Sequence, residues 1–100
     1  MRVIALPILR DFWGVHQDAE QPLKAWYAEA LKATWQNPAE IKVQYKSASI
    51  LKYKRVVFNI KGNDYRLVVA ISFKLQLVFV KFIGTHMEYD AIDAETVKLA

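Results

Sequence analysis

The sequence predicts an α+β domain: N-terminal helices packed on an antiparallel sheet. Two observations carry this. Apolar residues in the first half recur at helical spacing, and the second half holds three β-branched, aromatic-rich runs separated by short polar turns. A third is size: 100 residues form one domain, spanning 1–100, with 54% hydrophobic and 24% charged residues.

Met1–Leu6 is a short apolar run stopped by Pro7 and reads as a strand that can join the sheet. Ile8, Leu9, Phe12, Trp13 and His16 suggest a first helix over 8–18, opened by Pro7. Pro22 suits the first turn of a second helix, where Leu23, Trp26, Tyr27, Ala30 and Leu31 form one apolar stripe. Asn37-Pro38-Ala39-Glu40 has the order of a cap, a first helical proline and an N3 glutamate, so a short third helix runs to about Tyr45. Residues 46–54 have no clean period and read as a Lys- and Ser-rich loop.

Arg55–Ile60, Tyr65–Phe73 and Leu77–Ile83 then form a three-stranded antiparallel meander. Asp93 is placed to cap a short C-terminal helix. Strict alternation puts Val56, Phe58, Ile60, Tyr65, Leu67, Val69, Ile71, Val78, Val80 and Phe82 against the helices. It puts Arg55, Asn59, Arg66, Lys81 and Ile83 on an open face.

Charge is unevenly spread. Residues 42–81 carry nine basic groups and a single acid, Asp64, whereas residues 1–41 and 82–100 are net acidic. Such a block suits a polyanion, RNA or DNA, or an acidic protein segment; the plain alternative is a solvated Lys-rich surface. No cysteine is present, which excludes disulfide scaffolds and thiolate metal sites and fits a cytoplasmic protein. No apolar run is long enough to span a membrane and no signal peptide is visible. His16 and His86 lie far apart, and no metal-ligand spacing, Gly-rich phosphate loop or serine elbow occurs. Neither a metal nor a cofactor is expected.

One constellation has chemical content. Arg66 lies on a central strand, Lys52, Lys54 and Arg55 just before the sheet, Lys81 near its edge, and His86 and Tyr89 just after it. Histidine moves protons near neutral pH, tyrosine orients or stacks, and Arg and Lys hold a phosphate and stabilise its developing charge. Together they suit metal-free RNA cleavage, in which the substrate's own 2′-OH attacks the neighbouring phosphate.

Val57–Ile71, containing Phe58-Asn59-Ile60-Lys61-Gly62-Asn63 and Tyr65-Arg66-Leu67-Val68, and Phe82–Asp90, containing Gly84-Thr85-His86-Met87-Glu88-Tyr89-Asp90, together resemble the HigB-type toxins of type II toxin–antitoxin systems. Asp11-Phe12-Trp13, Pro22–Tyr27 and Asn37–Glu40 extend the likeness to nearly the whole chain. The resemblance implies the RelE-like fold and an mRNA endoribonuclease acting on transcripts in the translating ribosome. It implies a HigA-type helix-turn-helix antitoxin and contact with operator DNA only through the antitoxin complex. By the same resemblance, Arg66, His86 and Tyr89 are the candidate catalytic residues; Lys52 and Lys54, which resemble the family's lysines before the second strand, and Arg55 and Lys81 from the basic constellation are the RNA-binding candidates. The alternative is a non-catalytic RNA- or protein-binding module with a basic sheet face.

Overall fold

A computed structural model describes residues 1–98. In chain order the elements are β1 (Arg2–Ile4), α1 (Leu6–Val15), a 3₁₀ turn (Gln17–Ala19), α2 (Glu20–Lys32), α3 (Pro38–Gln44), β2 (Ser49–Ile50), β3 (Arg55–Ile60), β4 (Tyr65–Ser72), β5 (Leu77–Thr85) and α4 (His86–Asp90). The five strands form one sheet in the order β1-β5-β4-β3-β2. β3, β4 and β5 are the expected antiparallel meander, and β2 adds to its edge antiparallel to β3. β1 joins as expected but runs parallel to β5, so the sheet is mixed. A helical crossover can return the chain in the same direction, which a tight hairpin cannot.

The helix signals act locally. Pro7 sits in the first turn of α1. Asn37 Oδ1 accepts from Glu40 N at 3.1 Å, and Glu40 Oε1 accepts from Gln36 N at 3.1 Å, which fixes the start of α3. β2 lies inside the stretch expected as loop. Two residues are too few to show a period, and the strand exists only through its pairing of Ser49 with Val57 and Ile50 with Val56.

The main core lies between the helices and one sheet face. Leu9, Leu23, Trp26, Ala30 and Ile41 meet Val56, Phe58, Leu67, Val69, Ile71 and Val78. The Trp26 and Phe58 rings cross edge-on at 5.4 Å. Among the described residues no helix is long and apolar enough to cross a membrane.

Strict alternation fails in β5. Val68 pairs with Phe82, but Val69 pairs with Val80, so Lys81 is the extra residue of a bulge. The bulge turns Phe82 to the face away from the helices, where it packs with Val57 and Val68, and returns Ile83 to the helix face. Both residues are therefore on the faces opposite to those expected from the sequence.

The second face is not open. Val57, Val68 and Ala94 form a small core there, with Leu51, Phe82, Tyr89, Ile92 and Val97 packed around it. The chain after β5 supplies this cover. The helix there is α4, not the helix expected from Asp93; Asp93 Oδ1 instead accepts from Glu95 N at 3.0 Å within a turn. Thr85 and Glu88 form a reciprocal capping box, with Glu88 N donating to Thr85 Oγ1 at 3.2 Å and Thr85 N donating to Glu88 Oε1 at 2.8 Å. The Thr-x-x-Glu signal for this helix stands in the sequence, immediately after the last strand.

Candidate active site

Arg66 and His86 reach one cleft because two strands end together. Arg66 pairs with Gly84, and Tyr65 pairs with Thr85, so His86 begins α4 beside the start of β4. His86 N also donates to Asp64 O at 3.1 Å, tying the helix to the β3–β4 turn. A cleft of about 670 Å³ opens here, lined by Asn63, Asp64, Tyr65, Arg66, Thr85, His86 and Met87.

The Arg66 guanidinium is aimed by main chain. Nη1 donates to Asn63 O at 2.9 Å and to Tyr65 O at 3.3 Å. No carboxylate pairs with it among the described residues. Its charge therefore stays available to an anion in the cleft. The Tyr89 ring lies beneath it, 5.9 Å from Cζ, and is itself half-buried against the second core. His86 is half-exposed, and its Nδ1 is 3.5 Å from Asp90 Oδ2, one helical turn on. The three catalytic candidates thus share one end of the sheet. Asp90 joins them; His-x-x-x-Asp spacing on a helix is the sequence signal for that contact.

Gly84 makes the approach possible. A Cβ there would lie 2.5 Å from Phe82 Cζ and 3.1 Å from Glu88 Oε1, so any side chain would press on both the second core and the α4 cap.

Behind the cleft wall, Tyr65 is held from the helix side. Its hydroxyl donates to Asp18 Oδ1, and Lys61 bridges Asp18 at 2.7 Å and Asp64 at 3.3 Å. Lys61, and next the Tyr65 hydroxyl, hold the Asp18 carboxyl below the ordinary carboxylate range; Asp18 in turn raises Lys61. For Asp18, the lowered folded value means stabilisation is complete above the ordinary carboxylate range and fades as pH falls through the lowered value. For Lys61 the raised value means stabilisation fades only as pH rises through it. Asp18→Asn is therefore expected to flatten the acid limb of a melting-temperature-against-pH curve. An acid limb identical to the parent's would remove this network from the explanation.

The four RNA-binding candidates do not join this cleft. Lys52 and Lys54 lie on the exposed β2–β3 turn. Arg55 and Lys81 line a second cleft with Tyr53 and Ala70. Ala70 is four residues along β4 from Arg66, about 13 Å at strand rise. Arg55 is buried. It is 7% accessible, and its Nη1 donates to Ala94 O at 3.0 Å and Val97 O at 2.5 Å. That corrects its place in the RNA-facing set: a buried guanidinium needs acceptors, and the C-terminal segment supplies them.

The chain is similar to known proteins over nearly its whole length. The chain is 29% identical over 96 residues to the mRNA interferase toxin HigB of Escherichia coli (strain K12), covering 94% of this chain and 92% of that protein. The mRNA interferase HigB of Shigella flexneri matches to the same extent. A further mRNA interferase HigB, from Escherichia coli O6:H1, is 28% identical over 72 residues, or 70% of each chain. Residues 19–92, which contain α2 to α4 and every catalytic candidate, match the HigB_toxin family, and the chain belongs to that family, the RelE-like toxic component of a toxin–antitoxin system.

Proposed function

We propose that this chain is an mRNA endoribonuclease, the toxin of a type II pair, and that it cuts in the Arg66–His86 cleft. The observation that carries the reading is a guanidinium without a carboxylate partner facing the same cleft as a histidine. The substrate's 2′-OH attacks the adjacent phosphorus. A bond forms from O2′ to phosphorus, and the bond from phosphorus to O5′ breaks, leaving a 2′,3′-cyclic phosphate and a 5′-OH.

Arg66 stabilises the charge that builds on the phosphoryl oxygens at the pentacoordinate stage. His86 moves a proton, taking it from the 2′-OH or giving it to the leaving O5′. Asp90 steadies the imidazole from Nδ1. Tyr89 supports the guanidinium from below and presents an aromatic ring to the substrate. The mRNA is engaged in the translating ribosome, and Lys52, Lys54 and Lys81 add phosphate contacts that make binding salt-sensitive. A HigA-type helix-turn-helix antitoxin neutralises the protein in the cytoplasm, and operator DNA is met only through that complex.

The test is cleavage of mRNA by purified protein with EDTA present, with and without translating ribosomes, beside His86→Ala. Cuts ending in a 2′,3′-cyclic phosphate are expected, reduced about a hundredfold or more in the variant. Intact mRNA in both conditions from folded protein would favour the non-catalytic binding module instead.

A further inference from the structure

The turn between β2 and β3 carries a side chain that the fold does not require. Tyr53 and Lys54 sit at φ of 61° and 59°, left-handed backbone that Gly, Asn and Asp adopt far more readily. The Tyr53 side chain gains no packing in return, being 73% exposed. The turn is nonetheless pinned on both sides: Leu51 N donates to Arg55 O at 2.8 Å, and Ile71 N donates to Lys54 O at 2.9 Å. An exposed aromatic ring on a turn whose main chain is pinned in left-handed backbone points to a flat ligand.

Tyr53 opens onto the second cleft, of about 550 Å³, whose wall also includes Arg55, Lys81, Glu95 and Lys98. Arg55 is engaged with the C-terminal segment, but Lys81 and Lys98 form no ion pair among the described residues. Lys81 Nζ lies 5.7 Å from the centre of the Phe79 ring. One carboxylate, Glu95, faces these cations, so the cleft is net positive. An exposed ring beside lysines has the composition of a stacking platform with phosphate contacts. An acidic protein segment would satisfy the lysines but leave the strained tyrosine without a purpose.

We propose that this second cleft is a single-stranded RNA subsite remote from the cutting site, in which Tyr53 stacks on a base and Lys81 and Lys98 hold backbone phosphates. It rests on the RNA-cleavage reading and adds to it a nucleotide other than those flanking the cut. Stacking of this kind is tolerant of sequence, so the subsite contributes affinity and orientation, not base choice.

The experiment is fluorescence anisotropy in the full chain, with His86→Ala as the parent so that RNA survives. The ligands are a labelled single-stranded RNA long enough to span both clefts and a dinucleotide that fills only the first. Tyr53→Ala is expected to weaken the long RNA about tenfold and leave the dinucleotide unchanged, with Tyr53→Phe close to the parent. Lys81→Ala is expected to lower the salt slope for the long RNA by about 0.7. Equal binding of the long RNA by Tyr53→Ala and the parent would overturn the subsite. So would a Tyr53→Ala variant that loses an acidic antitoxin segment while keeping RNA. Failure of the cleavage reading looks different: the protein with His86 intact would leave RNA uncut, whether or not Tyr53→Ala changes its binding.

Discussion

Arg66→Ala is expected to lower mRNA cleavage about a hundred- to a thousandfold while leaving the protein folded. Arg66 is partly exposed at the start of β4, and among the described residues its side chain hydrogen-bonds only to the carbonyls of Asn63 and Tyr65. Those carbonyls face a turn that water can reach, so truncation costs little stability. The charge is another matter. Among the described residues nothing else lining the first cleft offers a permanent cation to a phosphate. Arg66→Lys is expected to restore only a small part of the activity, because an ammonium cannot hold two main-chain carbonyls and a phosphate in one plane. Cleavage rates under single-turnover conditions, with circular dichroism as the folding control, decide it. A variant that cuts at the parent's rate would remove Arg66 from the mechanism.

The largest effect on stability is expected from Arg55→Ala. Two carbonyls of the C-terminal segment, of Ala94 and Val97, end on one buried guanidinium. Hydrogen bonds to a charged group are worth about 1.5–3 kcal/mol each, so the loss is about 3 kcal/mol or more. For a domain of this size that lowers the melting temperature by roughly 10 °C or more. The segment it holds carries Ala94, Ile92 and Val97 onto Val57, Val68 and Phe82. Amide exchange over residues 92–97 should therefore rise more than exchange in α2. Tyr89 shares that small core, so cleavage should fall as well, through a looser floor beneath Arg66. Unchanged melting and unchanged exchange in Arg55→Ala would show that the apolar contacts alone hold the segment.

These two arginines show where sequence reading reached and where it stopped. Each stands on a strand with its side chain on the face away from the helices, and each looks from the sequence like a cation for RNA. Arg66 lies where that face ends, beside the start of α4, and stays available. Arg55 lies where residues 94–97 cross the same face, and is consumed by them. Nothing within a few residues of either position distinguishes them, because the difference is made by a segment about forty residues away in the chain.

The same holds for Lys81, Phe82 and Ile83. Alternation assigns a face to every residue of a regular strand, and it succeeds throughout β3 and β4. In β5 an extra residue is absorbed where Val68 and Val69 choose Phe82 and Val80 as partners. A bulge is a property of two paired strands, so one strand's sequence does not display it.

What the sequence determined by itself is the set of features governed by nearby residues. Proline and Asn37 place helix starts, polar turns separate the strands of the meander, and the Val57–Ile71 and Phe82–Asp90 stretches carry the likeness to the family. Which cations are available and which are spent comes from the tertiary structure, which sets Arg66 in one cleft and Arg55 and Lys81 in a second one further along β4. Burial and hydrogen-bond partners depend on register and on the path of distant chain, and a cation's role follows from the partner it finds.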